Sequence, residues 1–208
     1  MSDKSNKYGY VGVDIPAQSF GNNKGVFNPA EINELVANNQ WTSFGQLELI
    51  QTQTASAVGS VEFTDIKQDT YNVHFMTFSM TESTSPFVTR LSNNGGTSYI
   101  TSGYQVAGQY GSVSGTFGED KTTSGGVIIE GGAGGAGLGK NQYAYLYNLG
   151  DSTKYSFCTS HHMSEHPTLG HYMAFYSSVY PTAQVHNAIF VGATSITGTI
   201  SLYGIRYS

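Results

Sequence analysis

The sequence predicts an all-β fold: an antiparallel β-sandwich, jelly-roll-like, with one short N-terminal helix. Three observations lead there. Beyond Trp41 the apolar residues recur with a period of two, the mark of half-buried strands. Turn-forming Gly, Asn and Ser interrupt the chain every few residues, so the strands are short and numerous. The composition, with 15 Tyr and 11 Phe among many Thr, Ser and Val, suits a pleated surface with one face covered.

The single helix is predicted over residues 29–38. Asn28 stands at the N-cap, Pro29 at the first helical position and Glu31 three residues after the cap, which is the arrangement that satisfies the orphan amides of a helix start. Ile32, Leu35 and Val36 then share one face, and Asn38 and Asn39 end the segment. Residues 1–40 read as an extended arm plus this helix, an assembly segment, and residues 41–208 as the sandwich domain. Within the domain, Gln46 to Gln53 alternates through Leu47 and Leu49, Ser60 to Ile66 through Val61 and Phe63, and Tyr71, Val73 and Phe75 alternate with Asn72, His74 and Met76. The run Ser92-Asn93-Asn94-Gly95-Gly96 predicts a hairpin turn, because Asn and Gly accept the positive φ that tight turns require. Further strands are expected over 98–107, 112–118, 125–130, 141–149, 154–160, 170–178, 185–192 and 197–207.

Composition narrows the function classes. Charged residues make up only 11% of the 208-residue chain, against roughly 25% in an average soluble domain. A net charge of −5 argues against attraction to nucleic-acid phosphates. No run of about 18 apolar residues is present, so no membrane-inserted helix is expected. The opening MSDKSNKYGY lacks an apolar signal core, which predicts synthesis in a cytosol. A surface with so little charge risks self-association, and a homo-oligomer, with a trimer favoured, is the expected state.

The segments that look chemical have structural explanations. Gly134 to Lys140 resembles the start of a P-loop, and Gly132, Gly134 and Gly137 spell a dinucleotide-type pattern. Both motifs need a helix immediately after them to hold phosphate. Here Tyr143, Tyr145 and Tyr147 come next in strict alternation, a strand, and Asn141 stands where magnesium ligation needs Ser or Thr. No cofactor is expected. Glu48, Glu62, Asp65, Glu130 and Asp151 are acids that an enzyme reading would have to pair. Gly111 to Gly115 carries Val113 where a serine nucleophile would sit. Cys158, the only cysteine, falls in a predicted strand and reads as a small core residue. The Tyr143, Tyr145 and Tyr147 row is expected to pack on a second sheet or a neighbouring subunit, with stacking on sugars or bases as the alternative.

The stretch HHMSEHPTLGH gathers His161, His162, His166 and His171 around Glu165. Imidazoles with a carboxylate can hold a transition metal, but the spacing matches no metal motif, and neighbours such as His161 and His162 face opposite ways on a strand. Loops on a rigid sandwich are the usual places for contact. The segments 79–86, 131–140 and 160–170 are the expected loops, and the four histidines are assigned to receptor contact.

Several segments resemble one group of proteins. Tyr8 to Trp41 (YGYVGVDIPAQSFGNNKGVFNPAEINELVANNQW), FTDI at 63–66 with YNVHF at 71–75, RLSNNGGTSY at 90–99 and SITGTISLYGI at 195–205 are together similar to virion structural proteins of tailed bacteriophages, of the tail-fibre-like group found in phages of marine bacteria. The resemblance implies a β-sandwich without a cofactor on the exterior of the phage particle, made in the host bacterial cytoplasm. It brings no catalytic or binding residues. The function expected is that of a non-enzymatic tail-fibre or adhesin-type subunit that assembles with other virion proteins and contacts the host surface, a glycan included. The alternatives are a capsid decoration (cement) protein and a polysaccharide-depolymerising enzyme.

Overall fold

The computed structural model describes residues 29–37, 47–83, 88–126, 129–130, 140–166 and 169–205. Two compact units divide the chain, one of Met1–Ser43 with Ser208 and one of Phe44–Tyr207. In the first, the helix predicted from its cap and proline is present as α1, Pro29–Ala37. The second is antiparallel β-sheet. Its strands are β1 (Leu47–Phe63), β2 (Val73–Ser83), β3 (Val88–Ser92), β4 (Tyr104–Ser112), β5 (Phe117–Gly125), β6 (Ile129–Glu130), β7 (Lys140–Tyr147), β8 (Ser156–His166), β9 (Gly170–Tyr180) and β10 (Ala188–Ile205).

Instead of two separate sheets, all ten strands belong to one ladder, in the order β5-β4-β9-β8-β7-β2-β10-β3-β6, with β1 also paired to β10. The reason lies in β10. Its first part, Ala188–Gly192, pairs with β3, and its second part, Ile196–Ile205, pairs with β2. Along its other edge β1 accompanies it through both parts, absorbing the change of direction with register shifts between Ala55 and Ser60. Extra residues of this kind bend a strand and raise its local twist. Ala57 takes a φ of 54° there, and its amide donates to Thr197 Oγ1 at 3.0 Å.

The bend folds the ladder into two layers. Strands far apart in the ladder touch: the Leu91 amide on β3 donates to the Tyr104 hydroxyl on β4 at 2.9 Å, and Arg90 Nε donates to the Gly126 carbonyl at 2.8 Å. Between the layers lies the main core, which includes Phe63, Met76, Phe78, Leu91, Leu146, Ile189, Ile200 and Leu202, while Val88 packs on a second cluster of Val106, Tyr172, Ala174 and Tyr176. Cys158 is fully enclosed, and burial pushes its thiol well above the ordinary range, so it is a core residue rather than a nucleophile.

Several local expectations change: of the strand expected over 98–107 only Tyr104 onward is strand, and 112–118, also expected as a strand, contain the turn between β4 and β5. The Ser92–Gly96 turn forms, with φ of 72° and 87° at Gly95 and Gly96, but it does not join paired strands: β3 pairs with β10 and β6, and β4 with β5 and β9. Side chains hold the turn instead, since Ser92 Oγ accepts from the Asn94 and Gly96 amides and Asn94 Oδ1 from the Ser98 amide. The segment 160–170 is mostly the two arms of a β8–β9 hairpin, and Ser79–Ser83 continue β2, so neither is the loop expected. The Gly-rich residues 131–139 lie outside the described residues, but β7 comes directly after them, as the alternating tyrosines required.

Gly198 sits at the bend with φ 145°, and an added Cβ would overlap the Ser79 carbonyl oxygen. Gly198→Ala is expected to cost about 3 kcal/mol, since strain and overlap act together; urea denaturation at neutral pH measures it. His186 is enclosed, its ring held between Ser156 Oγ at 2.8 Å and Gln184 Nε2 at 3.1 Å. The Gln184 amide donates to Nε2, so the imidazole proton sits on Nδ1 and points to Ser156. Burial lowers the His186 pKa to about 4, and burial lowers that of His74 as well. The unfolded chain therefore binds more protons below pH 6.5, and stability falls as pH drops from there toward 4, by on the order of 3 kcal/mol for His186. Denaturation between pH 7 and 4.5 should show this slope, and His186→Gln should flatten it without abolishing it, because His74 remains. Asp151, held well below the usual carboxylate range by Lys154 and Thr153, stays ionised over that interval.

Candidate binding face

Period-two alternation gives every strand two faces, and register decides which residues meet. On the solvent side of the larger layer, one row across eight strands reads Lys121, Ala107, Ser177, Thr159, Tyr145, Phe75, Tyr203 and Leu49. The next reads Glu119, Gln109, Phe175, His161, Tyr143, Thr77, Ser201 and Thr52. Along the described positions of this face from β9 to the Leu47–Thr54 part of β1, Glu165 is the one acidic or basic residue besides histidine; Glu62 lies further along β1.

The rings on it touch in a chain. Tyr203 and Phe75 have centroids 6.1 Å apart, Phe75 and Tyr145 4.7 Å, and Tyr143 and His161 5.4 Å; His161 then stacks on Phe175 at 4.0 Å with 14° between planes. Tyr145 and Tyr143 close the chain at 6.2 Å. Five strands thus carry one aromatic band open to solvent. Phe175 is 47% exposed, Phe157 44%, Leu49 59% and Phe117 82%. Pairs like these stabilise a sheet modestly, about 0.5–1.5 kcal/mol each, and apolar residues exposed together on one face are a feature that interaction surfaces share.

The Tyr143, Tyr145 and Tyr147 row lies in this band. It does not pack on the second layer, because those positions face outward and their neighbours Gln142, Ala144 and Leu146 fill the interior. The inner face of β8 is Ser156, Cys158, Ser160, His162 and Ser164, while Phe157, Thr159, His161, Met163 and Glu165 look out. β8 therefore shows its large apolar residues to solvent and its small polar ones to the core.

The four histidines assigned to contact do not form one surface. His161 lies in the middle of the band, with Nδ1 3.2 Å from the Tyr143 hydroxyl. His162 points the other way and is buried, with Nε2 3.1 Å from Ser164 Oγ. His171 is exposed at the start of β9 opposite Glu165, and His166 ends β8 with its side chain outside the described residues. Among the described residues no three His, Cys, Asp or Glu side chains gather to hold a metal ion.

The acids are dispersed over the domain. Glu48 accepts from the Tyr71 hydroxyl at 2.6 Å, Asp65 pairs with Lys67 and Asp151 with Lys154. Glu62 is on β1 beside Phe190, and Glu130 ends β6.

Phe117, Phe157, Phe175 and Tyr203, which sequence reasoning did not single out, carry the face together with Phe75, which was named only as part of a strand alternation. Their signal was present as alternation, but alternation does not say which side is out. No protein-family model matches the chain, and no curated protein matches it either.

Proposed function

We propose that this chain is a non-enzymatic structural subunit on the exterior of a tailed-bacteriophage particle, of tail-fibre or adhesin type, which assembles with copies of itself and with other virion proteins and meets the host surface. One observation supports the reading above the others: an extended, solvent-facing aromatic band with almost no charge, on a rigid sheet. Such a face functions by being covered. The half of the band on β7, β2, β10 and β1 suits a second copy of the chain, because Tyr145, Phe75, Tyr203 and Leu49 are large and apolar and nothing charged among the described positions opposes close approach. Residues 1–27 serve as the arm that anchors the subunit to its neighbours.

Two measurements test this. An antibody against the sheet domain should label the exterior of purified particles at regular positions, and particles made with a chain lacking residues 1–27 should lose the label while the shortened chain keeps its far-ultraviolet circular dichroism. Absence of the chain from particles overturns the virion reading. For self-assembly, the mass of the full chain by light scattering should be a multiple of 22.3 kDa. Leu47→Lys with Leu49→Lys, both at exposed positions, should reduce it to a monomer with the same circular dichroism. A wild-type monomer, or an unchanged oligomer in the variant, excludes this half of the face as the interface.

A further inference from the structure

The other half of the outer face has a different relief. Where β4 meets β9 the outward positions are small or amide-bearing: Gln105, Ala107, Gln109 and Gly111 on β4, and Ser177 on β9. Larger side chains stand around them. Phe157 rises from β8, Phe175 from β9, and the Phe117 ring from β5 lies over Gly111, where an added Cβ would come within 2.8 Å of it. The result is a row of open hollows along one strand direction. The first, about 700 Å³, holds Gln105, Ala107, Phe157 and Ser177; the second, about 410 Å³, shares Ala107 and Ser177 with it and adds Gln109 and Phe175; the third, about 210 Å³, holds Gly111, Phe117 and Met173. From the Gln105 row to the Gly111 row is six residues, about 20 Å at a strand's rise per residue.

We infer that this groove binds an extended, uncharged polysaccharide chain. A row of open hollows aligned along the strand, the first two sharing their walls, suits an extended chain better than one enclosed cavity would. Three exposed phenyl rings offer faces for the apolar C–H faces of sugar rings. Between them the Gln105 and Gln109 amides and the Ser177 hydroxyl supply both donors and acceptors, which is what hydroxyl groups need. Charge decides between neutral and acidic polymers. Among the described residues Lys121 is the one lysine or arginine at the groove, and it is bound to Glu119 at 2.7 Å, while Asp120 faces the other side of the sheet, where it accepts from the Tyr176 hydroxyl at 2.8 Å. One carboxylate against one ammonium leaves the pair neutral on a chain of net charge −5, so no unpaired lysine or arginine among the described residues of the groove favours uronic or sulfated polymers over neutral ones. The inference rests on the reading of this face as a contact surface, and adds the class of ligand and its location.

Affinity electrophoresis of the full-length protein through gels containing dextran, yeast mannan or a neutral galactan, with alginate as the acidic comparison, tests it without phage particles, so its outcome is independent of where the subunit resides. At least one neutral polymer should retard the wild type, and alginate should not. Phe157→Ala, Phe175→Ala and Phe117→Ala should each weaken the retardation several-fold and the triple variant should abolish it, while circular dichroism and oligomeric mass stay as in the wild type. Gln105→Ala, which leaves the rings in place, should weaken binding less than any of the three. Retardation by alginate alone, by no neutral polymer, or undiminished in a folded triple variant overturns the assignment. A triple variant whose oligomeric mass changes shows instead that the groove is an interface between copies.

Discussion

Everything in the sheet domain depends on β10 being hydrogen-bonded along both edges to partners that belong to different layers. β3 takes the first part of one edge, β2 the second part, and β1 runs the full length of the other. Breaking those bonds in the interior would leave peptide groups buried without partners, which is far more expensive than bending a strand. The bend is therefore enforced, and the sequence accommodates it with Ala57 at positive φ and a glycine at 198, where the backbone of β2 passes too close for any side chain. Once β10 turns, β3 comes down over β4 and β9, the Leu91 amide finds the Tyr104 hydroxyl, and the core closes.

This closure assigns the faces, and it does so against simple hydrophobic sorting. The interior of β8 is serine, cysteine and histidine, and His186 with Ser156 and Gln184 forms a further buried polar contact set. Polar groups so placed add little stability and make it depend on pH, because a neutral imidazole is favoured where an imidazolium cannot be solvated. Meanwhile Phe117, Phe157, Phe175 and Tyr143 remain in water. A domain that stabilised only itself would have gained by exchanging the two sets. That it keeps aromatics outside is the physical reason to look for its function on that face, and the scarcity of charge there is why the proposed partners are apolar or uncharged.

The face has two textures because of side-chain size. On β7, β2 and β10 the outward Tyr143, Tyr145, Phe75 and Tyr203 are large and their rings touch, so that part of the surface is filled. On β4 they are alanine, glutamine and glycine, so the surface is furrowed between Phe117, Phe157 and Phe175. A filled apolar surface complements another of its kind, while a furrow with amides on its floor complements a chain that carries hydroxyls.

By itself the sequence determined the local matters. Asn28, Pro29 and Glu31 specify a helix start, and alternation after Trp41 specifies strands, because capping and pleating act over a few residues. It also determined that the Gly-rich stretch leads into a strand rather than a helix, and that His161 and His162 point apart. Sheet order, the single ladder and the failure of the Ser92–Gly96 turn to make a hairpin were beyond it, because they depend on pairings between residues as distant as Leu47 and Ile205. The same holds for the face. Tyr143, Tyr145 and Tyr147 were legible as a row, and the histidines as a cluster in the chain, but only tertiary structure decided that the row looks outward, that His161 joins it and stacks on Phe175, and that His162 is enclosed. A strand encodes two sides equally well; the other layer, by covering one of them, decides which side meets the solvent.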